Sequence, residues 1–234
     1  MIITIDIGNS HQNYALFKDN ELFVEKGDFQ DLDIVLKKYP ESRVIVSSVD
    51  DEFLNQIPGE FTLIRKFFGK GAFLDMPISY SKTIGEDRLA TSYYLYKLNQ
   101  QSKAIVDSGT FTTIDFLSSK GHLGGYILPG SRPLRGSFGH GRKLKEVPLN
   151  NNLEFKNELP QSTPEAMEQG LLAATLFPIE GLLKLHNIEN IFITGGDGEA
   201  VAKHLKNSKS DFKLAYSAEL IHRSLCFIAK RMKP

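Results

Sequence analysis

The first residues form a β-branched apolar run, Met1-Ile-Ile-Thr-Ile-Asp6-Ile7, broken by one acid and closed by Gly8-Asn9-Ser10. Such a run is long enough for a buried strand and too short for a helix. Residues 14–17 and 21–24 predict a second and third strand around a turn at 18–20. Leu32, Val35, Leu36 and Tyr39 recur at helical spacing, and Pro40 stops that helix. Residues 44–46 and 61–64 predict short strands alternating with helical pieces, as in an α/β sheet. Residues 67–80, rich in Gly, Phe and Pro, predict a long loop. A helix then starts near Glu86, with Leu89, Ala90, Tyr93, Tyr94 and Leu98 as its apolar stripe.

The opening pattern returns at Ala104-Ile-Val-Asp107-Ser-Gly109-Thr110, followed by strands at 112–116 and 122–127 around a turn at 118–121. Each Asp-x-Gly unit ends the first strand of a three-strand set, which predicts an internal duplication. The expected fold class is α/β in two similar halves, 1–102 and 103–234, with a cleft between them. The turns at 6–10 and 107–110 would face that cleft, with Thr194-Gly195-Gly196 as a third loop. Further elements follow. Residues 124–130 hold too much Gly and Pro to be only a strand, and 131–160 are polar, partly basic and carry no clear pattern. Thr163 as N-cap and Pro164 as first residue predict a helix reaching Leu185. Residues 191–193 predict a buried strand, a helix starts near Glu199, and a last helix carries Leu220, Ile221, Leu225, Ile228 and Ala229 on one side. Cys226 lies close to that stripe and reads as packing.

Composition narrows the function classes. Hydrophobic residues at 41% and charged residues at 24% describe an ordinary globular chain. Lys+Arg and Asp+Glu both number 28, so the net charge is zero, which argues against a dedicated nucleic-acid binder and against the Arg65-Lys66 patch as a nucleic-acid surface. A single cysteine excludes an intramolecular disulfide and a Cys-based zinc site, as suits a reducing cytosol. No run approaches twenty apolar residues and no basic leader opens the chain, so neither a membrane span nor a signal peptide is expected.

The Asp6 turn reads either as a holder of phosphate and Mg²⁺ or as an ordinary strand end with a solvated acid. Gly8 and Gly109 would let the backbone approach phosphates, while Asn9, Ser10 and Thr110 could donate hydrogen bonds. Asp6 could hold Mg²⁺ directly or through water. The Walker pattern Gly-x-x-x-x-Gly-Lys-Ser/Thr is absent. Gly85-Glu86-Asp87-Arg88 likewise has two readings. Asp87 could act as a general base at a helix start and Arg88 could grip a substrate carboxylate. Alternatively, Thr83-x-x-Glu86 is a plain capping box. Clustered acids also admit a two-metal ribonuclease-H-like nuclease, which zero net charge disfavours. Of the six His, only His11, in the first loop, invites attention.

Five segments occur in the order found in type III pantothenate kinases, and the chain resembles that family over nearly its whole length. They are Asp6-Ile-Gly-Asn-Ser10, Gly85-Glu-Asp-Arg88, Asp107-Ser-Gly-Thr-Phe-Thr-Thr-Ile-Asp115, Gly124-Gly-Tyr-Ile-Leu-Pro-Gly130 and Thr194-Gly-Gly196. The resemblance implies two duplicated ribonuclease-H-like domains of the acetate and sugar kinase/Hsp70/actin superfamily. It further implies ATP-dependent phosphorylation of pantothenate to 4'-phosphopantothenate, the first step towards coenzyme A, in the cytoplasm. Asp6, Ile7, Gly8, Asn9, Ser10, His11, Gln12, Asn13 and Thr110 would bind ATP, with Asp6 holding Mg²⁺ through water. Asp87 would be the base. Gly85, Glu86, Asp87, Arg88 and Tyr80 would line the pantothenate site, joined by Thr163 from the partner of a homodimer. Asp107 would hold a monovalent cation, K⁺ or NH₄⁺. Phe111 stands where the family usually has a small alanine, and residues 131–145 depart from its usual helix after Pro-Gly. Non-catalytic regulatory homologues keep the same fold and form the alternative. Retention of Asp6, Asp87, Asp107 and Thr110 favours the enzyme.

Overall fold

A computed structural model describes residues 1–19, 21–149, 154–208 and 210–232. The opening apolar run is strand β1 (Ile2–Ile7), followed by β2 (Gln12–Lys18) and β3 (Glu21–Asp28), with α1 (Leu32–Lys38), β4 (Arg43–Ser48), α2 (Asp51–Leu54) and β5 (Thr62–Leu63) behind them. The sheet order is β3-β2-β1-β4-β5. Strand β1 is antiparallel to β2 and parallel to β4. Being central, β1 buries Ile3, Ile5 and Ile7 completely, and they join Leu16, Leu32, Val44 and Val46 in one core.

Residues 67–80 differ from the expected loop. They carry a small antiparallel sheet of β6 (Phe68–Gly69), β7 (Ala72–Phe73) and β8 (Met76–Pro77). Lys70 and Gly71, both at positive φ (50° and 76°), form the two-residue turn that right-handed strand twist favours in a hairpin. Phe73 and Met76 plug inward, fully buried. Helix α3 (Glu86–Leu98) follows. Its buried face is wider than the expected stripe and includes Arg88, Thr91 and Ser92, whereas Leu98 is exposed.

The second sheet repeats the first. Strands β9 (Lys103–Ser108), β10 (Phe111–Ser118) and β11 (Gly121–Pro129) precede α4 (Ser131–Ser137), α5 (Thr163–Leu185), β12 (Asn190–Thr194), α6 (Gly198–Asn207) and β13 (Lys213–Tyr216). The order β11-β10-β9-β12-β13 matches the first sheet strand for strand. The duplication read from the two Asp-x-Gly units is therefore present in the fold. Leu172, Leu176, Ile179 and Leu183 of α5 pack on Ala104, Val106, Ile191 and Ile193.

Three local expectations need correction. Residues 124–129 remain strand despite their glycines, and a short helix does follow Gly130. The N-cap of α5 is Ser162, whose hydroxyl accepts from Glu165 N, and not Thr163. Finally, the α3 N-cap is Gly85, with no side-chain cap bond, so Thr83 and Glu86 do not form a capping box.

By contacts the chain divides into two compact units. The first is Met1–Gln101, Leu117–Gly124 and Glu219–Pro234; the second is Ser102–Phe116 and Gly125–Ala218. The first is completed by the last helix, α7 (Leu220–Arg231), which packs on β1, β4 and α3 and buries Leu220, His222, Leu225, Cys226 and Ile228. Among the described residues no helix is long and apolar enough to cross a membrane.

Candidate active site

In the first unit, β1 and β2 are joined by a tight reversal in which Gly8 N donates to the His11 carbonyl at 3.0 Å. Asp6, half-buried one residue from the end of β1, lies opposite Asn13 of β2 and beside Ser47 of β4. Asn9, Ser10 and His11 are exposed, and Gln12 is half-buried. The Ile7 side chain is in the core, and its carbonyl accepts from Val49 N at 3.0 Å. Asn13 is also buried. Its Oδ1 meets His222 Nε2 at 2.5 Å, and His222 Nδ1 meets the Thr4 hydroxyl at 2.8 Å. Nothing near His222 in the sequence marks it, because its partners stand more than 200 positions away.

The 85–88 segment is assembled in the same unit. Asp87, half-buried in the first turn of α3, folds its carboxylate back so that Oδ1 accepts from Arg88 N at 2.8 Å. A Cβ on Gly85 would collide with that oxygen, so the glycine makes room for the acid. The buried Arg88 guanidinium lies 4.9 Å from the Tyr80 ring centroid, a cation–π distance, and Tyr80 meets His122 edge-on at 5.9 Å. Tyr80 and Arg88, paired only by expectation in the sequence, are thus in contact. His122 escaped the sequence reading. It arrives on the 117–124 hairpin, whose His122 carbonyl accepts from Ser79 N at 2.8 Å.

Glu86 is engaged within the fold. It is buried, with Oε2 accepting from Ser48 N at 3.3 Å and Oε1 from Arg65 Nε at 3.1 Å. Burial pushes its carboxyl above the ordinary glutamate value, opposed by the Ser48 N–H and the Arg65 charge. A carboxylate held this way ties the start of α3 to the end of β4 and to Arg65.

In the second unit the turn after β9 is closed by Gly109 N donating to the Phe111 carbonyl at 3.1 Å and Gly130 N to the Thr110 carbonyl at 3.1 Å. A Cβ on Gly130 would collide with the Gly109 carbonyl oxygen. Gly195, at φ 89°, passes so close that its Cβ would stand 2.5 Å from Asp107 Oδ1. Asp197 N donates to the Ser108 carbonyl at 2.8 Å, and Asp197 Oδ2 accepts from the Ser131 hydroxyl at 2.6 Å. Three segments that the sequence offered separately, 107–110, 130–131 and 195–197, therefore interlock. Phe111 is 46% exposed, so its ring does not fill the turn from within. Thr163 stands exposed at the start of α5, bordering a groove with Phe138, Leu144 and Met167.

The donor set suits a Mg²⁺–nucleotide better than a protein-caged metal. Among the described residues no three His, Cys, Asp or Glu side chains converge on a metal position. Mg²⁺ ordinarily takes one or two carboxylates together with water and phosphate oxygens, and a single half-buried acid beside a glycine turn, as at Asp6, fits that style of binding.

Comparison with known proteins places this geometry. A family model described as type III pantothenate kinase matches residues 2–185. The type III pantothenate kinase of Flavobacterium johnsoniae is 33% identical over 224 residues, spanning 89% of this chain and 91% of its own. That of Campylobacter hominis is 26% identical over 231 residues, spanning 98% of each. Among solved structures, a Campylobacter jejuni protein described as a Baf family transcriptional activator superposes with a TM-score of 0.64 at 24% identity over 98% of both chains. A Sinorhizobium meliloti protein described as a 2-dehydro-3-deoxygalactonokinase gives 0.59 at 12% identity, over 99% of this chain and 98% of its own. Both structural likenesses speak to the fold alone. With the family model spanning most of its length, the chain belongs to the type III pantothenate kinase family.

Proposed function

We propose that this protein transfers the γ-phosphoryl group of ATP to the primary hydroxyl of pantothenate, giving 4'-phosphopantothenate and ADP, in the cytoplasm and as a homodimer. The observation that carries the reading is the grouping of Asp87, Arg88 and Tyr80 at the start of α3 in a chain of this family. An ionised Asp at a helix N-terminus is stabilised there by the free N–H groups and the helix dipole. It takes the proton from the acceptor hydroxyl as that oxygen bonds to the γ-phosphorus. The bond from the γ-phosphorus to the β,γ-bridging oxygen breaks, and ADP leaves. Arg88, steadied by the Tyr80 ring, pairs with the pantothenate carboxylate.

ATP is bound by residues 6–13 and by Thr110. For Asn13, whose side chain is taken up by His222, the contribution is backbone and support. Asp6 would hold Mg²⁺ through water, and the ion would offset phosphate charge. Asp107, beside the close approach of Gly195, would hold K⁺ or NH₄⁺. Thr163, exposed on α5, reaches pantothenate in the partner subunit.

The test is an ATP-consumption assay with pantothenate, with and without K⁺ or NH₄⁺, on wild type and Asp87→Asn. Cation-dependent turnover that the substitution lowers at least about 10²-fold, the scale of general-base catalysis, supports the reading. Wild type that consumes no ATP in any condition refutes the enzyme and favours a regulatory homologue of the same fold.

A further inference from the structure

The basic stretch at 65–70 takes no part in the chemistry above, yet its first residue is committed within the first unit. Arg65 Nε donates to Glu86 Oε1 at 3.1 Å, one terminal nitrogen to the Lys82 carbonyl at 3.1 Å, and the other to the Ile84 carbonyl at 2.7 Å. All three guanidinium nitrogens are therefore spent on the five residues that lead into α3. Glu86, the acceptor at the centre, is anchored on its other side by Ser48 N at the end of β4. This cluster stands where a helix would ordinarily be fixed by a capping side chain, and Gly85 offers none. A Cβ at Gly85 would push the Asp87 carboxylate oxygen from its present place, so a capping side chain there would displace the acid. The work of fixing the helix start has moved to Arg65.

We propose that Arg65 is a positioning residue for Asp87. It holds residues 82–86 so that the first turn of α3 delivers the Asp87 carboxylate to the acceptor hydroxyl in a single orientation. The fork geometry is essential. A guanidinium meets three fixed acceptors in one plane, whereas an ammonium is a compact point charge that cannot reproduce that array. Phosphoryl transfer is sensitive to such placement, since a misplacement of about 1 Å costs on the order of 10²-fold in rate. The inference rests on the reading of Asp87 as base.

The experiment compares Arg65→Lys with wild type and with Lys66→Ala, which removes the neighbouring positive charge without touching α3. Steady-state kinetics are measured for both substrates, and active sites are counted by calorimetric titration with a non-hydrolysable ATP analogue. The expected result for Arg65→Lys is a fall in kcat of roughly 10- to 100-fold per active site, with KM for ATP within about 2-fold. Lys66→Ala should match wild type. A kcat for Arg65→Lys within 2-fold of wild type overturns the inference. So does a loss that merely tracks a reduced count of nucleotide-binding sites, which is what a purely structural residue would give. If Asp87→Asn keeps full activity, the base assignment falls whatever Arg65 does. If Asp87→Asn is inactive while Arg65→Lys is normal, only the present inference falls.

Discussion

Replacing His222 with leucine tests how the last helix is tied to the first strands. Both imidazole nitrogens are used, Nε2 on Asn13 Oδ1 at 2.5 Å and Nδ1 on the Thr4 hydroxyl at 2.8 Å, and all three residues are buried. Leucine has similar bulk, so packing survives while both hydrogen bonds vanish. Thr4 keeps a weaker bond to the Ala15 carbonyl at 3.3 Å, so its loss is partial. Without the imidazole the buried Asn13 Oδ1 loses its partner, and a buried group left unsatisfied costs about 1–3 kcal/mol. Adding about 1 kcal/mol for Thr4 gives a total near 3 kcal/mol. For a chain of this length each kcal/mol lowers Tm by about 2–4 °C, so His222→Leu should melt roughly 6–12 °C below wild type. The assay is thermal unfolding followed by circular dichroism, run also on Asn13→Ala and on the double variant. If Asn13 and His222 are partners, the double variant should lose at least about 0.5 kcal/mol less than the sum of the singles. A drop under about 2 °C, or strict additivity, would refute the reasoning.

Two other substitutions probe the second unit. Gly195→Ala must place a side chain at φ 89° against the Ser108 carbonyl and Asp107 Oδ1; the strain should cost about 1–3 kcal/mol, and the K⁺ or NH₄⁺ concentration for half-maximal activity should rise, so an unchanged cation response would count against Asp107 as the ligand. Lys103 is buried, and burial pushes its ammonium down from 10.5 to about 8. Between those values the unfolded chain holds a proton that the folded chain lacks, so the cost of Lys103 is fully present below about 8 and relieved as pH rises towards 10.5. Lys103→Met should therefore be more stable than wild type at pH 7, by an amount that shrinks in urea titrations repeated through that window; a gap independent of pH would refute it.

Local pattern carried the parts of this fold that repeat. Ile2–Ile7 and Lys103–Ser108 are central strands buried on both faces, and such strands announce themselves as continuous apolar runs. The Asp-x-Gly endings then marked two equivalent turns, and the shared strand order follows from them. What stayed hidden depends on partners distant in the chain. Glu86 resembled the second half of a capping box with Thr83, but its real partner is Arg65, 21 positions back, in a stretch weighed only as a nucleic-acid surface and set aside. His222 carried no local mark at all. The sheet at 68–77 uses two-residue strands, too short to display any period. Strand Lys213–Tyr216 lies largely exposed beside β12, so its side chains lack the apolar alternation that would have marked it.

The return of α7 to the first unit has a consequence for biosynthesis. A nascent chain makes Met1–Gln101 early, but the helix that covers β1 and β4 and supplies His222 lies at Leu220–Arg231, beyond the whole second unit. At about 5–20 residues per second, the ribosome needs roughly 6–24 s to bridge that gap. Through that interval the faces of β1, β2 and β4 that α7 will cover are bare, including Ala15 and Phe17, which later close on Cys226. The second unit, contiguous but for one hairpin, can complete itself first. The half bearing Asp6 and Asp87 is thus the last to have all its chain available for closing.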